Sequence, residues 1–182
     1  SGIAPLRQVM VNTAVARANG ARSSTAQATT VAQDCHVRIG TGPTTYALVQ
    51  TAADAAGPGD VVKVAGTCVG VGERAGLRQQ VYLDKPLTVR GGYTTTNWIT
   101  PDPAANPTTL DALGKGRVFY VTGAISPTIE GLHIVGGDAA GLGPFAWGRT
   151  WNAGNGIYVV SATATISNNW IYNNTYSDEY TL

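Results

Sequence analysis

Charge is scarce in this chain. Asp, Glu, Lys and Arg make up 13% of its 182 residues, and the formal net charge is +1. A globular domain usually carries about twice that charged share. Such thin, balanced charge gives no electrostatic attraction to nucleic acid or to an anionic membrane surface. Long apolar runs are also missing, and none approaches the ~20 residues that span a bilayer. Cysteine is limited to Cys35 and Cys68. Neither His36 nor His133 has a Cys or His partner at metal-ligand spacing, so no metal or other cofactor is implied.

What the chain does contain is Gly, at 23 residues, with frequent Thr, Ala, Val and Asn and a hydrophobic fraction of 43%. That fraction is too high for disorder, and the length suits one domain with a real core. A short phrase recurs four times: one β-branched residue between small or polar ones, then a Gly or Asn bend. It reads Lys63-Val64-Ala65-Gly66, Thr88-Val89-Arg90-Gly91, Thr128-Ile129-Glu130-Gly131 and Thr165-Ile166-Ser167-Asn168. The central residues Val64, Val89, Ile129 and Ile166 lie 25, 40 and 37 residues apart. A recurring single-strand unit on this scale marks a solenoid, in which each turn buries its apolar face against its neighbours. The four central side chains are expected to stack into one core column.

Residues 1–34 read as an N-terminal arm or linker. Leu6, Val9, Met10 and Ala14 have helical spacing, while Val9, Val11, Thr13 and Val15 alternate as a strand would. Ala26-Gln27-Ala28 resembles a small-residue cleavage site, but no long apolar segment precedes it, so residues 1–28 are not read as a signal peptide. From residue 35 to 182 a solenoid domain is expected. Cys35 to Ile39 alternates as a first strand. A helix is expected over Tyr46 to Ala56, N-capped by Thr44 or Thr45 and stopped by Gly57-Pro58-Gly59. Its small-residue face, Ala52, Ala53 and Ala56 among others, suits an N-terminal cap on a stack of strands. Val81-Tyr82-Leu83, Val118 to Val121 and Ile157 to Val160 form a second strand set. Insertions at 94–108 and 141–155 account for the uneven spacing. Cys35 and Cys68 allow one disulfide or two buried thiols; an even count in a secreted-looking chain favours the bridge.

These residues carry a resemblance. The stretch from Thr45-Tyr46 to Ala56, followed by Gly57-Pro58-Gly59-Asp60 and Val61 to Val64, resembles the entry of right-handed parallel β-helices of the pectate-lyase-like superfamily. Gly91-Gly92-Tyr93, Thr109 to Ala112, Ile129 to Leu132, Gly136 to Ala139 and Ile166 to Asn169 look like bacterial extracellular β-helix repeat proteins. The latter occur in filamentous phototrophic bacteria and among polymorphic surface proteins. The resemblance covers about residues 35–175. It implies an all-β, right-handed parallel β-helix with an N-terminal capping helix. The fold hosts lyases, hydrolases, adhesins and inert scaffolds alike.

Enzymes of this fold gather carboxylates or a basic Arg on one outward face. Here Arg90 and Glu130 could be neighbours about 4.8 Å apart, the geometry of an exposed salt bridge. Asp111, Arg117 and Asp138 do not fall at equivalent positions, and this missing carboxylate ladder argues against a lyase. Gly136-Gly137-Asp138 reads as a bend with Asp accepting local N–H bonds. Phe145, Trp147 and Trp151 in the second insertion could contact a sugar or a partner protein, or pack beneath their own loop. Asn168-Asn169 and Asn173-Asn174 look like stacked corner amides. Two functions follow. One is an extracellular or cell-surface structural protein that joins other copies of itself end to end, into filaments or a layer. The other is a piece of a secreted polysaccharide-active enzyme, a sugar-binding module or an adhesin.

Overall fold

The computed structural model describes residues 34–143 and 152–175, with strand backbone at 10–14, 26–30, 145–146 and 149–150. The chain divides into two compact units, Ser1–Gln33 and Asp34–Leu182. In the first, β1 (Met10–Ala14) and β2 (Ala26–Thr30) form an antiparallel pair. Of the two readings left open for this arm, the extended one holds at Met10–Ala14.

The second unit is strand-dominated, a curled and largely parallel sheet. Its early elements are β3 (Asp34–Ile39), α1 (Val49–Ala55), β4 (Val61–Val69), β5 (Gly72–Arg74) and β6 (Leu77–Leu83). Then come β7 (Thr88–Tyr93), β8 (Thr109–Asp111), β9 (Arg117–Thr122), β10 (Thr128–Glu130) and β11 (His133–Val135). The short antiparallel pair β12 (Phe145–Ala146) and β13 (Arg149–Thr150) sits in the second insertion. The last strands are β14 (Ile157–Val160), β15 (Thr165–Ser167) and β16 (Trp170–Ile171).

Parallel pairing sorts these strands into three files. In the first file β4 pairs through Val61, Val62 and Lys63 with β7, β7 with β10, and β10 with β15. In the second, β4 pairs through Thr67, Cys68 and Val69 with β8, β8 with β11, and β11 with β16. In the third, β6 pairs with β9 and β9 with β14. The chain visits the files in the same order on every circuit, so each circuit is a rung on the one before. The 94–108 insertion leaves from the corner between β7 and β8, and the 141–155 insertion from the corner between β11 and β14. Side chains alternate across each strand, so one residue in two enters the core. The buried columns are Val62–Val89–Ile129, Cys68–Leu110–Ile134 and Val81–Phe119 beside Leu83–Val121.

One member of the expected column is displaced. Val89, Ile129 and Ile166 are in register, but Val62, not Val64, pairs with Val89. The register between β4 and β7 shifts between Lys63 and Ala65, where β4 bends from the first file to the second. Val64 is fully buried beyond that shift and is paired with Val37 of β3. The expected helix is also shorter. Tyr46 exchanges two backbone hydrogen bonds with Val37, which holds it extended and delays the helix to Val49. Leu48, not a Thr, occupies the N-cap position, with no side-chain capping bond.

The first rung has its outer edge satisfied. β3 runs antiparallel along β4 from Ile39 opposite Val62 to Asp34 opposite Thr67. A disulfide joins Cys35 to Cys68. Gly66, at φ +82°, permits the close crossing, because a Cβ there would lie 1.9 Å from the Asp34 carbonyl oxygen. On the third file, β5 folds back antiparallel on β6. Beyond it, Gln50 of α1 takes the place of a strand: its Oε1 accepts from Tyr82 N at 2.6 Å and its Nε2 donates to Tyr82 O at 3.3 Å. Lys85 Nζ donates to the carbonyls of Asp54 and Ala56, satisfying the end of α1.

Candidate functional site

Two outward surfaces and one edge carry side chains that could meet another molecule. On the first file, β7 and β10 place Arg90 beside Glu130, and Arg90 Nε donates to Glu130 Oε1 at 2.5 Å. Burial works against the Arg90 charge, but its hydrogen bonds to Glu130 and Tyr93 prevail, so its pKa lies above the ordinary value. Part of both side chains remains exposed, and such a pair contributes little stability, about 0–1 kcal/mol. The expected neighbours therefore meet, as an ion pair.

The same face carries a stack that sequence reasoning missed. The 94–108 insertion folds back so that Trp98 lies against Tyr93, ring centroids 5.9 Å apart. Arg38 sits 5.0 Å over Trp98, and Lys63 sits 5.3 Å over Tyr93 while donating to the Trp98 carbonyl at 2.6 Å. Both cations and both rings are engaged with one another, which anchors the insertion.

The third file carries a tyrosine column on its outer side. Tyr82 and Tyr120 stack at 5.4 Å, and Tyr120 and Tyr158 meet at 5.4 Å with tilted rings. Parallel register makes this column, since Tyr82, Tyr120 and Tyr158 are successive partners. Arg74 covers one end, bound to Asp54 and 5.2 Å over Tyr82. Arg117 covers the other, 4.7 Å over Tyr158. Burial lowers the Arg117 pKa, opposed by the Tyr158 and Tyr120 phenols. Its Nε and Nη2 donate to the carbonyls of Ala153 and Leu142. Burial raises the Tyr120 pKa, helped by Tyr158 and Tyr82 and opposed by Arg117.

The edge is the last rung. β15 and β16 end their files, and no strand pairs with their far side among the described residues. Burial changes abruptly there. Val62, Val89 and Ile129 are 0% exposed, yet Ile166, next in the same column, is 44% exposed. Ile134 is 0% exposed and Ile171 above it is 50% exposed. Trp170 and Tyr172 are exposed beside them. Trp170 meets His133 with centroids 4.6 Å apart, and His133 Nδ1 lies 3.3 Å from the Tyr172 hydroxyl.

Two asparagines fix this rung to the one below. Asn168 and Asn173 turn the corners at positive φ. Asn169 Nδ2 donates to Ile129 O at 2.8 Å and its Oδ1 accepts from Leu132 N at 3.0 Å. Asn174 repeats the device across the next corner, donating to Ile134 O and accepting from Gly137 N. Each side-chain amide thus does at a bend what a paired strand does along a file. The expected corner amides are present in this form, bonding to backbone rather than to one another.

No group of three His, Cys, Asp or Glu side chains converges on a common point among the described residues. Asp138 accepts from Ala140 N at 2.9 Å, and Asp111 from Leu113 N at 2.8 Å, both local turn bonds. A shallow hollow at one corner, lined by Ala124, Ile125, Ser126, Ser161, Ala162 and Thr163, holds no ionisable side chain. Trp147 and Trp151 lie outside the described residues, and Phe145 enters only by its backbone, opposite Thr150. Comparison of the chain with protein-family models, curated proteins and solved structures returned no match.

Proposed function

We propose that the chain is a right-handed parallel β-helix, with α1 as its N-terminal cap, and that it serves as an extracellular structural protein assembling through its last rung. The observation that carries this reading is the jump in exposure from Ile129 to Ile166 and from Ile134 to Ile171. Fully burying an isoleucine contributes about 1.5–3 kcal/mol, and each of these two forgoes roughly half of it. An uncovered strand edge with apolar side chains is a template for another chain. The engagement of Arg38 and Lys63 with the Trp98 and Tyr93 rings, and the lack of a carboxylate cluster among the described residues, support a scaffold over an enzyme. The Cys35–Cys68 disulfide supports an oxidising compartment. No helix among the described residues is long and apolar enough to cross a membrane.

Growth into filaments or a layer needs a second contact, which we assign to the N-terminal arm. Light scattering on the full chain tests both parts. Assemblies larger than the monomer are expected at high concentration, reduced to pairs when residues 1–34 are deleted. A monodisperse monomer of the full chain at high concentration removes the reading.

A second reading, a sugar-binding module, is favoured by the exposed Trp170 and Tyr172 around His133. Exposed aromatic rings with a nearby polar group suit the faces of sugars. Binding to a panel of neutral and acidic polysaccharides, lost in Trp170→Ala, would establish it; no binding across the panel would retire it.

A further inference from the structure

The proposed assembly leaves open which surface meets the last rung, and the two ends of the coil answer differently. At the first rung the strand edge is occupied by β3, β5 and the Gln50 amide. Charged side chains surround it, including Asp34, Asp54, Arg74 and Lys85. At the last rung the strand edge is free among the described residues. Residues 152–175, which build it, contain no Asp, Glu, Lys or Arg. An uncharged, apolar strand edge set against that end would take the Asp34–His36 and Asp54–Arg74 pairs and the Lys85 ammonium out of water and give them no new partner. Set against a copy of itself, it buries no charge and gains strand pairing.

We propose that the last rung is a self-complementary interface, occupied by the last rung of a second copy of this chain. The inference rests on the reading that the protein assembles through this edge. Its geometry follows from symmetry. A twofold axis through the corner at Asn168 and Asn169 exchanges the first and second files. It lays β15 of one copy antiparallel to β16 of the other, and β16 on β15. Ile166 of each copy then covers Ile171 of its mate, and both interrupted columns are closed at once. This is an isologous contact, in which residue i meets j and j meets i. It closes on two copies, so this edge alone builds pairs, not chains.

The test uses cysteine pairs in the full chain, since Cys35 and Cys68 are already engaged with each other. Ile166→Cys and Ile171→Cys proteins are prepared separately, then mixed and oxidised. Opposed residues of antiparallel strands have Cβ atoms about 4.5–5.5 Å apart, within reach of a disulfide. The expected result is a covalent dimer in the mixture and none with either variant alone. Ile171→Asp is expected to raise the concentration at which pairs form at least tenfold while leaving the fold intact. Cross-linking of either variant to itself, or larger assemblies with no mixed bridge, overturns the twofold but leaves self-assembly standing. A monomer at every concentration overturns both. Deleting residues 176–182 separates that last case: a chain that pairs only after this deletion has its edge covered by its own segment, which also overturns the proposal.

Discussion

The two edges of this curled sheet are built from similar strands but finished differently. At the first rung every device points to closure: an antiparallel strand, a disulfide, a folded-back hairpin and a glutamine amide where no strand reaches. At the last rung the devices point only downward. Asn169 and Asn174 bind the rung below, and nothing among the described residues binds the rung from above. A curled parallel sheet has the same problem at each edge strand, unpaired peptide groups beside apolar side chains. The contrast teaches that a side-chain amide can fasten or finish an edge, and that which it does depends on which side of the rung it faces.

The largest expected effect comes from reopening the finished end. Cys35→Ala with Cys68→Ala removes the cross-link and is expected to cost about 2–5 kcal/mol, read as a lower denaturant midpoint with a steeper slope, since the unfolded chain is no longer held compact. Gly66→Ala attacks the same end through the backbone. Its Cβ would collide with the Asp34 carbonyl at an unfavourable φ, with an expected loss of about 1–3 kcal/mol or more. If either change leaves stability untouched, β3 is not what closes the first rung.

Next in size is Asn169→Ala, which strips two backbone groups of the rung below of their partner. A loss of about 1–3 kcal/mol is expected, with faster amide exchange at Leu132. The like change at Asn174 should expose the Gly137 amide in the same way. Gln50→Ala is the counterpart at the other end and should free the Tyr82 amide. The comparison sharpens if Gln50→Ala leaves β15 and β16 as they were.

The smallest effect is electrostatic and lies on the tyrosine column. The Tyr120 pKa is raised in the fold, chiefly by burial. A raised folded-state value means its stabilising effect is whole below the unfolded pKa, about 10, and is lost as pH climbs through the higher folded value. Melting temperature should therefore fall above that pH, and less steeply in Tyr120→Phe. An identical alkaline profile for both proteins would show that the column does not feel the charge.

Much of this arrangement was legible in the residues themselves. Ile129 and Ile166 stand two places before Gly131 and Asn168, and Val89 three places before Gly92, each of which bends the chain at positive φ, so the chemistry of the bend marks a column residue just before it. Val64 misled because its phrase also ends in Gly, but Gly66 serves the β3 crossing and the register shift moves the true partner to Val62. Tyr46 reads as a helix start by its neighbours, whereas its backbone answers Val37, a tertiary pairing invisible to local periodicity. The tyrosine column had a signal that could have been used. Val81-Tyr82-Leu83, Phe119-Tyr120-Val121 and Ile157-Tyr158-Val159 each set one Tyr between two apolar residues. The Trp98 stack had none, because it depends on where an inserted loop lands.

Amide hydrogen exchange at Ile166 and Ile171, followed from dilute to concentrated protein, bears most directly on the difference between the two ends. Fast exchange when dilute and strong protection when concentrated are expected, with Val62 and Val64 protected throughout. Protection of Ile166 and Ile171 in dilute protein, or fast exchange at every concentration, would contradict an edge that stays open until a second copy closes it.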